Sequence, residues 1–312
     1  MKRLFIIGNG FDIAHGLKTK YSDFEKYLMK NFPDADPENA LIPEPNEDGL
    51  YDDNEVVSFL LKIISDTKGD AWKNLENTLG ELNYSDFLTS NDECENTEDD
   101  WKNAYFNEDN AKYIRNAVEK IRDYFSDWIN QIDISQVQPY SIFEKFINKQ
   151  NDLFLTFNYT MTLENVYKIQ SKNILHIHGK QGEQLIFGHG NPNDISENYE
   201  ADYTGSENYI EELHEALRKN TSTIINDNMA WFNSLGTLDQ IYSYGFSFAQ
   251  VDLVYIQQLC KSTTKNTTWY LSDDKSNFNK FHEIIKKYGF KGDFEDLGLL
   301  SKHSGVPKAS VR

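Results

Sequence analysis

Leu4, Phe5, Ile6 and Ile7 form an unbroken apolar run that stops at the glycine turn of "LFIIGNG". A short run of this kind, with no polar alternation, is the pattern of a strand buried on both faces, as at the centre of a parallel sheet covered by helices. It sets the fold class before any other residue is considered. Gly8 and Gly10 allow a tight turn and close approach to a phosphate. The third glycine of the dinucleotide-binding fingerprint is missing, because Ile13 stands in its place and Gly16 comes later. The turn therefore either cradles a phosphate or simply ends the strand.

A parallel sheet needs further strands joined by crossovers. Strand patterns recur at Asp152–Phe157, Asn173–His178, Gln184–Gly188, Gln240–Gly245 and Thr267–Ser272. Helical spacing appears at Glu207–Asn220, Gln250–Cys260 and Asn277–Tyr288. The first two strands are separated by a long helical stretch. "SDFE" (Ser22–Glu25) has the form of a capping box, and Ile114, Val118, Ile121, Phe125, Trp128 and Ile132 make a stripe at spacings of three and four. Two polar segments, Asn31–Asp53 and Ser90–Asp100, interrupt it. The expectation is one α/β domain over residues 1–300. It has a Rossmann-like, mainly parallel sheet with helices on both faces and a large helical insertion at about 22–150, followed by a tail at 301–312.

With 50 acidic residues against 31 basic ones the chain carries a formal charge of -19, which repels nucleic acid and anionic lipid. No basic patch offsets that field, so neither a nucleic acid nor a membrane partner is expected. The apolar start is too short for a signal-peptide core or a membrane span. Cys94 and Cys260, the two cysteines, make neither a disulfide framework nor a cysteine zinc site, which fits a reducing cytoplasm.

Ligands of open parallel sheets bind beyond the carboxyl ends of the strands. The residues there are polar: Asn9, Asp12 and His15, then Asn158, Tyr159 and Thr160, then His178, His189 and Asn191, then Ser247 and Asp252. Asp12 either touches a ligand or caps a turn, and Asn158 either touches a ligand or bonds to its own backbone. His176 and His178, two apart, should face the same way on a strand and make a candidate metal pair with His15 or His189. Trp72 and Glu76 are either core and its ion pair or a cover reaching the ligand.

Six segments in order, "IIGNGFDIAHGLKTKYSDF", "WKNLENTL", "LTFNYTMTLE", "HIHGK", "IFGHGN" and "YGFSFAQVD", resemble the phage abortive infection AbiH family as far as about residue 256. That family in turn resembles, distantly, the sirtuin-like NAD-hydrolase superfamily, through Gly8 and Gly10, Asn158 in "TFNYT", His178-Gly179 and Phe187-Gly188. The resemblance implies an antiphage effector that binds NAD and hydrolyses it to nicotinamide and ADP-ribose. His178 would be the general base, Asn158 would position ribose or water, and Asp12 would lie beside the nicotinamide ribose. Gly8, Asn9, Gly10, Phe11, His15, Thr156, Tyr159, Gly188, His189, Gly245, Ser247 and Asp252 would line the nucleotide site. Sirtuin zinc cysteines have no counterparts, so no zinc is expected and deacylation is disfavoured. The alternatives are a non-catalytic sensor of NAD, ADP-ribose or another nucleotide that acts through a partner, and a metal-dependent hydrolase. A phage-derived trigger and a homo-oligomer would suit a toxic activity that must be held back.

Overall fold

The computed structural model describes residues 1–91, 97–271 and 275–297; Cys94 and the expected tail at 301–312 lie outside them. In chain order the elements are β1 (Arg3–Ile7), α1 (Asn9–Ala14), α2 (Tyr21–Asn31), α3 (Asp53–Ser65), α4 (Leu75–Leu79), α5 (Thr97–Glu119), α6 (Ile121–Asn130) and α7 (Ser141–Phe146). There follow β2 (Leu153–Thr156), α8 (Thr162–Asn165), β3 (Ile174–His176), α9 (Ser196–Asp202), α10 (Glu207–Leu217), α11 (Thr221–Asp227) and α12 (Met229–Ser234). The chain continues with β4 (Gln240–Tyr244), α13 (Leu253–Cys260), β5 (Thr268–Leu271), α14 (Lys275–Lys287) and β6 (Asp293–Asp296).

They form two compact units. One comprises Met1–Thr19, Ile129–Ile186 and Asn220–Arg312, the other Lys20–Trp128 and Phe187–Lys219. Residues 129–150, read in the sequence as part of the insertion, thus belong with the sheet, and 187–219 belong with the helices.

The first unit holds six parallel strands in the order β3-β2-β1-β4-β5-β6. The chain winds outward from β1 through β2 to β3, then crosses to the other side for β4, so winding reverses between β1 and β4. A crevice at the carboxyl ends of the strands is the general consequence of such a reversal. Leu4 to Ile7 are all completely buried, as a two-sided strand requires. Their side chains alternate between two cores. Leu4 and Ile6 pack with Phe232, Ile256, Leu259 and Phe281 of α12, α13 and α14, while Phe5 and Ile7 pack with Phe11, Phe143 and Leu163 of α1, α7 and α8. The sheet is therefore covered on both faces, as expected from the sequence.

Three local expectations need correction. Gln184–Gly188 is apolar but not a strand. The Ile186 amide bonds to the His178 carbonyl, and His189 makes only an isolated bridge to Arg218, so the segment has no neighbouring strand to extend. The capping box is displaced, because α2 begins at Tyr21 and it is Asp23 that accepts the Lys20 amide (3.1 Å). β6, "DFED", was missed because an acidic, mostly exposed segment reads as a loop, although charge is normal on an edge strand.

The second unit is helical. Phe24 of α2 makes ring contacts with Trp72, Phe125 and Trp128, and Phe125 stacks on Phe187 at 4.0 Å. Among the described residues no helix is long and apolar enough to cross a membrane.

Candidate functional site

The glycine turn after β1 is closed by protein. Gly8 donates its amide to the Tyr244 carbonyl and Gly10 to the Gly245 carbonyl, both at 2.9 Å. A Cβ on Gly8 would lie 2.5 Å from the Phe246 Cα, and one on Gly10 2.6 Å from the Gly245 Cα. Gly245 itself has φ +62 and leaves no room for a side chain against Phe11 and Gly10. The three glycines let the β1 and β4 turns touch backbone to backbone, and the Gly8 and Gly10 amides are already engaged. Phe11 is core, and Asn9 exchanges hydrogen bonds with Thr19 at 2.7 and 2.5 Å.

His15 is also satisfied within the fold. Its Nδ1–H donates to the Phe11 carbonyl (2.7 Å) and its Nε2 accepts from the Tyr167 hydroxyl (2.6 Å), which itself accepts the Tyr140 amide. That is a complete set for a neutral imidazole, and burial lowers its pKa accordingly.

Asp12 is brought by α1 to the loop that follows β2. Thr160 donates to one carboxylate oxygen (2.6 Å) and Thr162 to the other (3.0 Å), with all three side chains buried. Burial pushes the Asp12 carboxyl up to about 6, against the pull of both hydroxyls, the Asn158 amide and the charge of His176. A carboxyl poised this close to neutrality at a strand end marks a candidate functional group.

Asn158 follows β2 and is clamped by its backbone. Its amide donates to Thr156 Oγ1 (3.1 Å), and its carbonyl accepts from His176 Nδ1 (3.1 Å). Its side chain faces Asp12 without a hydrogen bond of ordinary geometry, so both Oδ1 and Nδ2 are buried with no partner. Unmade bonds on a buried amide are costly and call for a ligand or an ordered water. Tyr159 beside it donates its hydroxyl to the Ile186 carbonyl (3.0 Å).

His176 and His178 do not act as a pair. β3 ends at His176, whose other nitrogen meets Glu164 of α8 at 2.9 Å, so its ring lies between the Asn158 carbonyl and a carboxylate. The Glu164 carboxyl is held low by that contact despite its burial. His178 lies beyond the strand and turns to the other core, among Phe157, Tyr159 and Tyr255, with Nε2 3.4 Å from Asp252 Oδ1. The alternation expected for residues two apart fails because the second is no longer in the strand. Among the described residues no group of three or more His, Cys, Asp or Glu is arranged to hold a metal ion.

Ser247 is exposed. Gly188 and His189 belong to the second unit, where a Cβ on Gly188 would strike the Leu217 carbonyl. His189 Nδ1 accepts the Asn191 amide (3.1 Å) and Nε2 donates to the His214 carbonyl (3.0 Å); burial, then the neighbouring His214, lowers its pKa to about 4. Glu76 pairs with the fully buried Lys219 ammonium at 2.6 Å, and Trp72 is buried. Sequence reasoning passed over Glu164, Thr162 and Tyr255. Their place in the first turn of the helix after a strand-end loop distinguished them.

The sheet order and the buried polar cluster at the ends of β1, β2 and β3 define a Rossmann-like α/β protein with a candidate small-molecule site. The model of the bacteriophage abortive infection AbiH family matches residues 4–273 of the 312. The chain belongs to that family, and its role is in phage abortive infection. No curated protein matches it in sequence.

Proposed function

We propose that the protein is an abortive-infection effector that binds NAD at the ends of β2 and β3 and hydrolyses it to nicotinamide and ADP-ribose. The observation that carries this reading is Asn158, buried beside Asp12 with no well-formed hydrogen bond on either amide atom and one strand away from His178. In the reaction a water oxygen bonds to the ribose carbon as the carbon–nitrogen bond breaks, and the electron pair leaves with nicotinamide. His178 takes the water proton. The oxocarbenium-like transition state needs accurate placement of water and ribose more than it needs a strong nucleophile, which suits an asparagine–histidine site. The nicotinamide leaving group in this reading follows from the distant resemblance of "TFNYT" and His178-Gly179 to the sirtuin-like hydrolases. In this reading Gly8, Gly10 and Gly245 serve backbone packing, and the ligand centres on Asn158.

An activity that empties the NAD pool is lethal, so a phage-derived trigger or self-association would release it in the cytoplasm. A second reading, a nucleotide sensor acting through a partner, is favoured by one feature: both Asp12 oxygens are taken by threonine hydroxyls. The test is nicotinamide release by the purified protein beside His178→Ala and Asn158→Ala, with NAD binding by calorimetry on the same samples. Release that both substitutions abolish supports hydrolysis at this site; binding without release supports the sensor; neither outcome removes NAD from consideration unless binding also fails.

A further inference from the structure

We infer that Asp252 is a positioning residue for His178, fixing the Nε2–H tautomer so that Nδ1 is the basic atom offered to the ligand. The inference rests on the reading of His178 as the base, and it specifies which atom does the work. Four observations carry it. The two side chains are only 4% and 9% exposed and their nearest atoms, Nε2 and Oδ1, are 3.4 Å apart. His178 Nε2 makes no well-aligned hydrogen bond, the Asp252 contact included. Charge-assisted bonds are shorter by about 0.5 Å, and slack of this size is usual in ligand-free catalytic sites.

Asp252 immediately precedes α13 with helical backbone angles (φ -94, ψ -7) and makes no side-chain bond to the amides of its first turn, and its Oδ1 faces the histidine. Finally, the loop that delivers it contains Phe248 at φ +54, a left-handed conformation that a bulky residue adopts only when its surroundings enforce it. Phe248 is enforced by its burial in the core beside Phe246, Trp269 and Phe281. The β4–α13 loop is thereby held in a conformation that puts a carboxylate on the ring.

A carboxylate on Nε2 accepts its proton, leaves the Nδ1 lone pair free, and stabilises the imidazolium that forms when Nδ1 takes the water proton. The ring is wedged by Phe157, Tyr159 and Tyr255, which limits its rotation.

The experiment is two-bond proton–nitrogen NMR of histidine-labelled, ligand-free protein, with the His178 signals assigned by His178→Gln. The expected result is the Nε2–H tautomer in the wild type and its loss, or a mixture, in Asp252→Ala. A wild-type Nδ1–H tautomer overturns the inference, as does an unchanged His178 signal in a folded Asp252→Ala protein. Asp252→Asn, nearly isosteric, serves if the alanine variant does not fold. In turnover, Asp252→Asn should lower kcat about ten-fold or more with little change in KM; a rise in KM alone would place Asp252 on the ligand instead. If the wild type releases no nicotinamide, hydrolysis fails while the tautomer result stands or falls by itself.

Discussion

Asp12→Asn should stabilise the protein at neutral pH, and the gain should shrink as the pH falls. Burial holds the Asp12 carboxyl at about 6 in the folded protein, against about 3.9 in an unfolded chain. A difference of about 2 units corresponds to about 3 kcal/mol. Because the folded pKa is the higher one, the carboxyl contributes nothing below about pH 4, where both states hold the proton. Between there and about pH 6 the unfolded state has lost its proton and the folded state has not, so stability falls as pH rises. Above pH 6 both are ionised and the full penalty applies.

Asparagine cannot ionise and escapes that penalty, but it makes weaker bonds to Thr160 and Thr162, a loss of about 1–2 kcal/mol. That loss shifts the whole comparison without bending it. The assay is thermal unfolding of both proteins from pH 5 to pH 8, staying above the pI of 4.7. The advantage of Asp12→Asn should grow by about 1.4 kcal/mol between pH 5 and 6, about 3–6 °C in Tm, and then level off. Curves that stay parallel across the whole range would refute the claim that Asp12 is buried as a strained carboxylate.

Gly245→Ala places a Cβ 2.3 Å from the Phe11 amide nitrogen at φ +62; a loss of about 2–4 kcal/mol is expected in urea unfolding, and an unchanged midpoint would mean the β1 and β4 turns are not in contact. Glu76→Ala leaves the buried Lys219 ammonium unpaired and should cost about 3–5 kcal/mol. The double variant Glu76→Leu/Lys219→Met should recover most of that loss, and failure to do so would argue for a role other than packing. His15→Phe removes the bonds to Phe11 and Tyr167, so it should lower Tm; an NAD affinity that drops with Tm unchanged would instead put His15 on the ligand.

Much of the fold was legible locally. Leu4 to Ile7 announced a two-sided strand, and five of the six strands lay in apolar runs between helical stretches. Gln184–Gly188 was misread because an apolar run of five becomes a strand only if another strand lies beside it. β6 was misread for the opposite reason, since it is paired but acidic. Within the site, Asn158 and His178 were visible as polar residues just past apolar strands. So was Asp252, but its contact with His178, like that of His176 with Glu164 of α8, joins residues at separations where periodicity carries no information.

The sequence alone determined that β1 would be buried on both faces and that its turn would need glycine, because hydrophobic patterning and backbone sterics act over a few residues. Only the tertiary structure decided what the glycines were for: Gly8 and Gly10 meet Gly245, more than 200 residues away, and their amides are satisfied by protein. It likewise decided that His176 joins Glu164 while His178 turns to Asp252. Past the end of a strand, side-chain direction is no longer set by alternation but by whichever core has room for the ring and a partner for its nitrogens.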